Sequence, residues 1–133
     1  MENSKDRPLK QDPYCYPGTA VLENRRGIKD YTKLKMYEYA SSEEAAVQLK
    51  KSFLKKSPRL DQKLFQKIHK KLFKNVYKWA GKNRTVDMSK GYDEFTDKKE
   101  IDYHLKNKFE GLKRENYLKG LDKKEFVNRI ANY

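Results

Sequence analysis

The stretch DQKLFQKIHKKLFKNVYKWAGKNRTVDMSKGYDEF, residues 61–95, decides the fold, because its hydrophobic period changes partway along. Asp61 is placed to cap a helix on which Leu64, Phe65, Ile68, Leu72, Phe73, Val76 and Tyr77 recur at spacings of one, three and four. That stripe is the mark of a helix packed on one face. Lys63, Lys67, Lys70, Lys71 and Lys74 occupy much of the other side. Trp79-Ala80-Gly81 is expected to end the helix, since Gly81 suits a left-handed cap and Trp79 is large enough to seal a core. From Arg84 the period falls to about two through Thr85, Val86, Asp87, Met88 and Ser89. Lys90-Gly91-Tyr92-Asp93 then reads as a turn, and Phe95 as part of a return strand. Two strands alone are marginal in water, so this hairpin must lean on the helices or stay mobile, and mobility would suit a binding element.

Working outward, residues 1–15 read as an extended or disordered lead-in, polar and broken by Pro8 and Pro13. Tyr16-Pro17-Gly18-Thr19 sets a tight turn, since proline fixes φ and glycine accepts a positive one. Val21, Leu22 and Ile28 are expected to tuck behind it. Asp30 is a plausible N-cap for a helix carrying Leu34 and Tyr37, and Ser41 with Glu44 forms a capping-box pattern that would restart or adjust it. Ala45, Ala46, Leu49 and Phe53 continue the apolar face until Ser57-Pro58 stops it. Asp97 with Glu100 opens a helix bearing Ile101, Leu105, Phe109 and Leu112 and ending near Gly120. Asp122 with Glu125 opens the last, which reads as still unfinished at Tyr133 and as leaving Phe126, Val127 and Ile130 exposed to association.

The 133 residues, 36% hydrophobic, suit one compact domain over 16–133, mainly α, and the net charge of +13 spreads a positive field over its surface. That field attracts nucleic acid, acidic protein or anionic membrane alike and so identifies none of them. Cys15 is a lone cysteine, nothing at the N-terminus resembles a secretion signal and no apolar run approaches the ~20 residues of a membrane span, from which a cytoplasmic protein with no membrane partner is expected. His69 and His104 lie in separate helices and make no zinc site of familiar spacing, so no metal ligand is assigned. No Gly-x-Ser-x-Gly or P-loop pattern is present, so no catalytic residue is assigned. His69 reads best as a hydrogen-bonded residue at the edge of the core. Lys90-Gly91 is equally a solvated turn and a ligand-gripping element.

Tyr16-Pro17-Gly18-Thr19, Val21-Leu22, Asn24, Gly27-Ile28, Ile68-His69-Lys70, Leu72-Phe73, Val76-Tyr77, Trp79-Ala80-Gly81, Arg84, Ser89-Lys90-Gly91, Phe95, Phe126, Arg129, Ala131 and Tyr133 occur in an order that resembles the Fic family, the bacterial, toxin-like protein AMP-transferases. The resemblance implies a helical bundle with a small β-hairpin, the flap, which aligns an extended segment of a target protein by backbone pairing. The flap falls on Thr85, Val86, Asp87, Met88, Ser89, Lys90, Gly91, Tyr92 and Phe95. The family reaction, AMP transfer from ATP to a target hydroxyl, implies ATP and Mg for the complete domain. Its loop, His-Pro-Phe-x-Asp/Glu-Gly-Asn-Gly-Arg, does not occur among these residues, and neither His69 nor His104 lies in such a context.

The reading that results is the N-terminal part of a Fic-like domain, truncated before the catalytic loop and the helices after it. It keeps the docking flap, lacks catalytic residues and a cofactor of its own, and is inactive alone. A target protein and an inhibitory antitoxin-like partner are implied. The family's inhibitory motif, Ser/Thr-x-x-x-Glu-Gly/Asn, is matched by Thr19 to Asn24, but in a turn-rich segment rather than on a helix, so it is set aside. The alternative is a basic helical module for nucleic acid or protein interaction, without a recognised nucleic-acid fold signature.

Overall fold

The computed structural model describes residues 12–90 and 93–133. Most of the lead-in and two flap residues, Gly91 and Tyr92, therefore lie outside the described residues. The architecture is mainly helical: α1 (Tyr31–Lys55), α2 (Gln62–Phe73), a hairpin of β1 (Ser89–Lys90) and β2 (Asp93–Glu94), α3 (Ile101–Arg114), a 3₁₀ turn (Asn116–Leu118) and α4 (Lys123–Ile130). Among the described residues, three of the four helices start where a sequence cap predicts. The side chains of Asp30, Asp61 and Asp122 accept from the backbone N–H of Lys33, Leu64 and Glu125, each at 2.8 Å.

The departures from the sequence reading have local physical reasons. Ser41 does not restart α1, which runs unbroken over 25 residues. The neighbouring Ser42 hydroxyl is absorbed within the helix by donating to the Tyr39 carbonyl at 3.1 Å. The central helix ends at Phe73, well short of Trp79. Beyond it the chain turns, so that the Val76 carbonyl accepts from Arg25 N–H at 2.8 Å instead of continuing the ladder. Asp97 does not cap α3 but holds the preceding turn through Lys99 N–H, and the α3 N-cap, Glu100, makes no side-chain cap bond.

The end of α3 falls at Arg114 rather than near Gly120, because Asn116, Tyr117 and Leu118 all take positive φ of 53–58°. Such a conformation costs roughly 1–2 kcal/mol per non-glycine residue. Burial of Leu118 and the Arg59 guanidinium lying 5.3 Å over the Tyr117 ring offset part of it. α4 ends at Ile130, with Tyr133 turned back so that its hydroxyl donates to the Glu115 carboxylate. Of its apolar side only Val127 is exposed, while Phe126 and Ile130 are half-buried.

The core is centred on Val21, Leu34, Val76 and Tyr77, with Tyr16, Leu22, Ile28, Tyr37, Phe73 and Trp79 packed around it. It therefore lies where α1 crosses the chain leaving α2, not on α2 itself, none of whose residues is fully buried. The segment before α1 reaches this core as a small turn, with Cys15 bridged to Leu22 and Tyr16 N–H donating to the Val21 carbonyl at 2.9 Å. The Asn24 side chain secures the following loop, its amide donating to the Leu22 and Ile28 carbonyls and its oxygen accepting from Ile28 N–H.

Leu34 is 1% exposed, and shortening it to alanine leaves a cavity against Val76 and Tyr77. Leu34→Ala is expected to lower unfolding free energy by about 2–5 kcal/mol, read from urea denaturation.

Candidate functional site

The candidate site is the hairpin and the clefts beneath it. β1 and β2 pair antiparallel, Ser89 opposite Glu94 and Lys90 opposite Asp93, and Phe95 N–H donates to the Met88 carbonyl at 3.0 Å. The two-residue strands are shorter than the alternation from Thr85 suggested, since Thr85 and Val86 lie in a bend before β1. Among the described residues each strand has one neighbour, so no further strand pairs there with the outer edges of the sheet.

Arg84 holds this short hairpin to the helical body. Its guanidinium donates to the Val86 carbonyl at 2.6 Å and to the Thr96 carbonyl, so one side chain ties both arms at their base. It also lies 3.8 Å from the Asp87 carboxylate, which in turn accepts from Lys98 N–H at 2.8 Å. The planar fork of arginine makes such a clamp possible, and Arg84 is only 18% exposed. A second tie comes from the start of the chain, where the Tyr14 hydroxyl accepts from Thr85 N–H at 2.8 Å and lies 3.1 Å from the Thr85 hydroxyl.

Thus the structure places the sequence-derived flap residues as follows. Thr85, Val86 and Asp87 form the tethered base, while Met88 and Phe95 project half-exposed, at 45% and 49%, beside the strands. Arg84 and Tyr14 were not among the assigned site residues. Arg84 stood in plain view as the cation opening the alternating run, but the tie from Tyr14 bridges 71 positions of sequence and leaves no local signal.

Two clefts meet at Arg84. One of about 360 Å³ runs from Phe65 and His69 on α2 past Phe95 to Ile101 and Leu105 on α3. The other, about 320 Å³, is lined by Tyr14, Leu22, Trp79 and Met88, again with His69 and Arg84. Their walls are mainly apolar, suited to accept side chains from an extended segment lying along the hairpin.

His69 shapes the floor of both. Its Nδ1 accepts from Gly81 N–H at 2.8 Å, and its ring lies between Phe73 and Trp79 at centroid distances of 5.2 and 5.9 Å. Burial pushes its pKa below the usual histidine range and favours the neutral ring that this bond requires. Gly81 is needed there twice over: its φ is +82°, and a Cβ would come within 2.8 Å of the Lys70 Cβ. His104 sits apart, exposed, 3.7 Å from Glu100. Thr19–Asn24 is non-helical, as its turn-rich sequence suggested. Among the described residues no cluster of three or more His, Cys, Asp or Glu could hold a metal. No helix among them is long and apolar enough to cross a membrane.

The mainly helical fold matches solved Fic domains. The chain superimposes on the VirB-translocated effector BepC of Bartonella tribocorum, solved with bound AMPPNP, at a TM-score of 0.76 and 29% identity, covering 90% of this chain and 63% of that one. A Fic domain from Bartonella quintana with bound ADP gives 0.75 and 28%, covering 90% and 62%. No protein-family model matches the chain. By sequence it is 38% identical to protein adenylyltransferase VbhT of Bartonella schoenbuchensis over 122 residues, 92% of this chain and 25% of that protein. It is 32% identical to the probable protein adenylyltransferase Fic of Escherichia coli, covering 92% of this chain and 60% of the other. The chain is related to the Fic protein adenylyltransferases and carries part of the Fic-domain fold, spanning between a quarter and about three-fifths of those two relatives' length.

The neutral His69 has a measurable consequence. Its folded pKa is lowered, so on acidification the unfolded chain takes up the proton first, near the ordinary value of about 6.5. The stability it contributes is present above that value and is lost as pH falls through it. The melting-temperature gap between the parent and His69→Gln is therefore expected to narrow from roughly pH 7.5 to about 5. Gly81→Ala is expected to destabilise by about 1–3 kcal/mol at neutral pH, in the same thermal assay.

Proposed function

We propose that residues 16–133 form the target-docking part of a Fic-type protein adenylyltransferase, whose complete reaction is AMP transfer from ATP, with Mg, to a hydroxyl of a target protein. The observation that carries this reading is the Arg84-clamped hairpin, its strand edges unpaired among the described residues, set over apolar clefts in a chain related to adenylyltransferases. An extended target segment pairs with the flap backbone, and its side chains enter the clefts beside Phe95 and Met88. Backbone pairing supplies affinity that does not depend on sequence, and the clefts supply selection.

Transfer itself needs a general base to take the proton of the attacking hydroxyl and groups to hold the phosphates. The histidine–glycine loop that does this in the family does not occur in these residues, so they dock a target without modifying it. His69 is not a substitute base, because its Nδ1 is engaged by Gly81 N–H and its role is to shape the floor.

Incubated with labelled ATP and candidate target proteins, the chain alone should transfer no AMP; robust labelling would contradict the assignment of docking without chemistry. Grafted in place of the corresponding part of the Escherichia coli relative, it should support target labelling. In that chimaera Lys90→Pro, which removes a strand N–H, and Arg84→Ala should each lower labelling by about tenfold or more, the equivalent of 1.4 kcal/mol. Nucleotide binding should stay unchanged. Equal labelling by all three proteins would remove the hairpin from target docking.

A further inference from the structure

The long helix α1 buries Leu34, Ala45 and Leu49 on one side, and its opposite face is exposed among the described residues. Val47 stands at the middle of that open face. It lies two residues from both Ala45 and Leu49, hence about 200° around the helix from each, and is 48% exposed. Apolar and charged positions on this face are placed symmetrically about Val47, with the sign of charge reversed. Seven positions before it stands Ala40 and seven after it Leu54, which is 88% exposed. Three and four before it stand Glu44 and Glu43; three and four after it stand Lys50 and Lys51. All four charged side chains are exposed and none forms an ion pair among the described residues.

We infer that the open face of α1 is a self-association surface, on which a second copy of this chain packs antiparallel with the two-fold axis at Val47. In that arrangement the two Val47 side chains meet, and the Glu43–Glu44 pair of each copy faces the Lys50–Lys51 pair of the other. Leu54 of one copy settles among Met36, Tyr39 and Ala40 of the second, where Met36 and Tyr39 are each 68% exposed. An isologous contact demands a surface complementary to itself, and an acidic pair and a basic pair at equal distances from an apolar centre meet that demand. A parallel pairing would set glutamate against glutamate and lysine against lysine. The contact spans the nineteen residues from Met36 to Leu54, about 28 Å of helix, so the association is weak and reversible. The face lies on the opposite side of α1 from the core, and the inference does not depend on the docking reading.

Sedimentation of the full chain at about 0.15 M salt tests this, since a screening length of ~8 Å mutes repulsion between the whole molecules more than contact pairs. The mass should rise with concentration from 15.9 kDa towards twice that value. Val47→Glu, which brings two carboxylates together on the axis, should remain monomeric. The double variants E43K/E44K and K50E/K51E should each be monomeric, because each faces its own copy with like charge. Mixed in equal amounts, they should recover association as a heterodimer. Circular dichroism of these exposed substitutions checks that each remains folded. A parent that stays monomeric to roughly millimolar concentration, variants that associate as the parent does, or a mixture that does not recover, would each overturn the inference.

Discussion

The structure depends on the chain leaving the α-helical path after Phe73. At that point Val76 and Tyr77 become almost wholly buried under α1, and the Tyr77 hydroxyl donates to the Glu38 carboxylate. The tyrosine ring stacks on Trp79 at 4.4 Å and 12°. Burial and the adjacent carboxylate both hold the phenol protonated. The exit turn also supplies the Val76 carbonyl that anchors Arg25, so the segment before α1, α1 itself and the chain after α2 converge at one place. A continued helix would have carried Val76 and Tyr77 onward along the α2 axis and left that convergence without a centre.

The same exit sets up the hairpin. Once the chain turns at Gly81 over His69, Arg84 comes to the base of both strands and holds them by their carbonyls. A hairpin with strands of two residues has too little ladder to be stable by itself, so its position is determined by that guanidinium and by Tyr14. The base is fixed, while among the described residues the outer edge of each strand has no neighbouring strand, the feature on which the proposed docking role rests.

Helix starts were legible because a cap is a local bargain between one side chain and an amide three residues on, as at Asp30, Asp61 and Asp122. Helix ends were less legible. The apolar stripe through Val76 and Tyr77 fits a helix equally well whether those side chains lie on it or beyond it, and a contact from Arg25 decides between the two. The exposed apolar side foreseen on α4 was narrower in the fold, because Phe126 and Ile130 are partly covered. The hairpin was legible as a change of period, whereas its tether was legible only as a single arginine without a stated purpose.

The sequence by itself determined the helical class, the three aspartate caps, the place of the hairpin and the kinship with Fic proteins. Each of these rests on residues within a few positions of one another or on their order along the chain. Only the tertiary structure decided where α2 stops, that His69 accepts from Gly81, that Tyr14 and Arg84 hold the hairpin, and which face of α1 remains open. The reason is physical: each depends on a hydrogen bond or a burial between groups distant in sequence, and such pairings exist only after the core has brought them together.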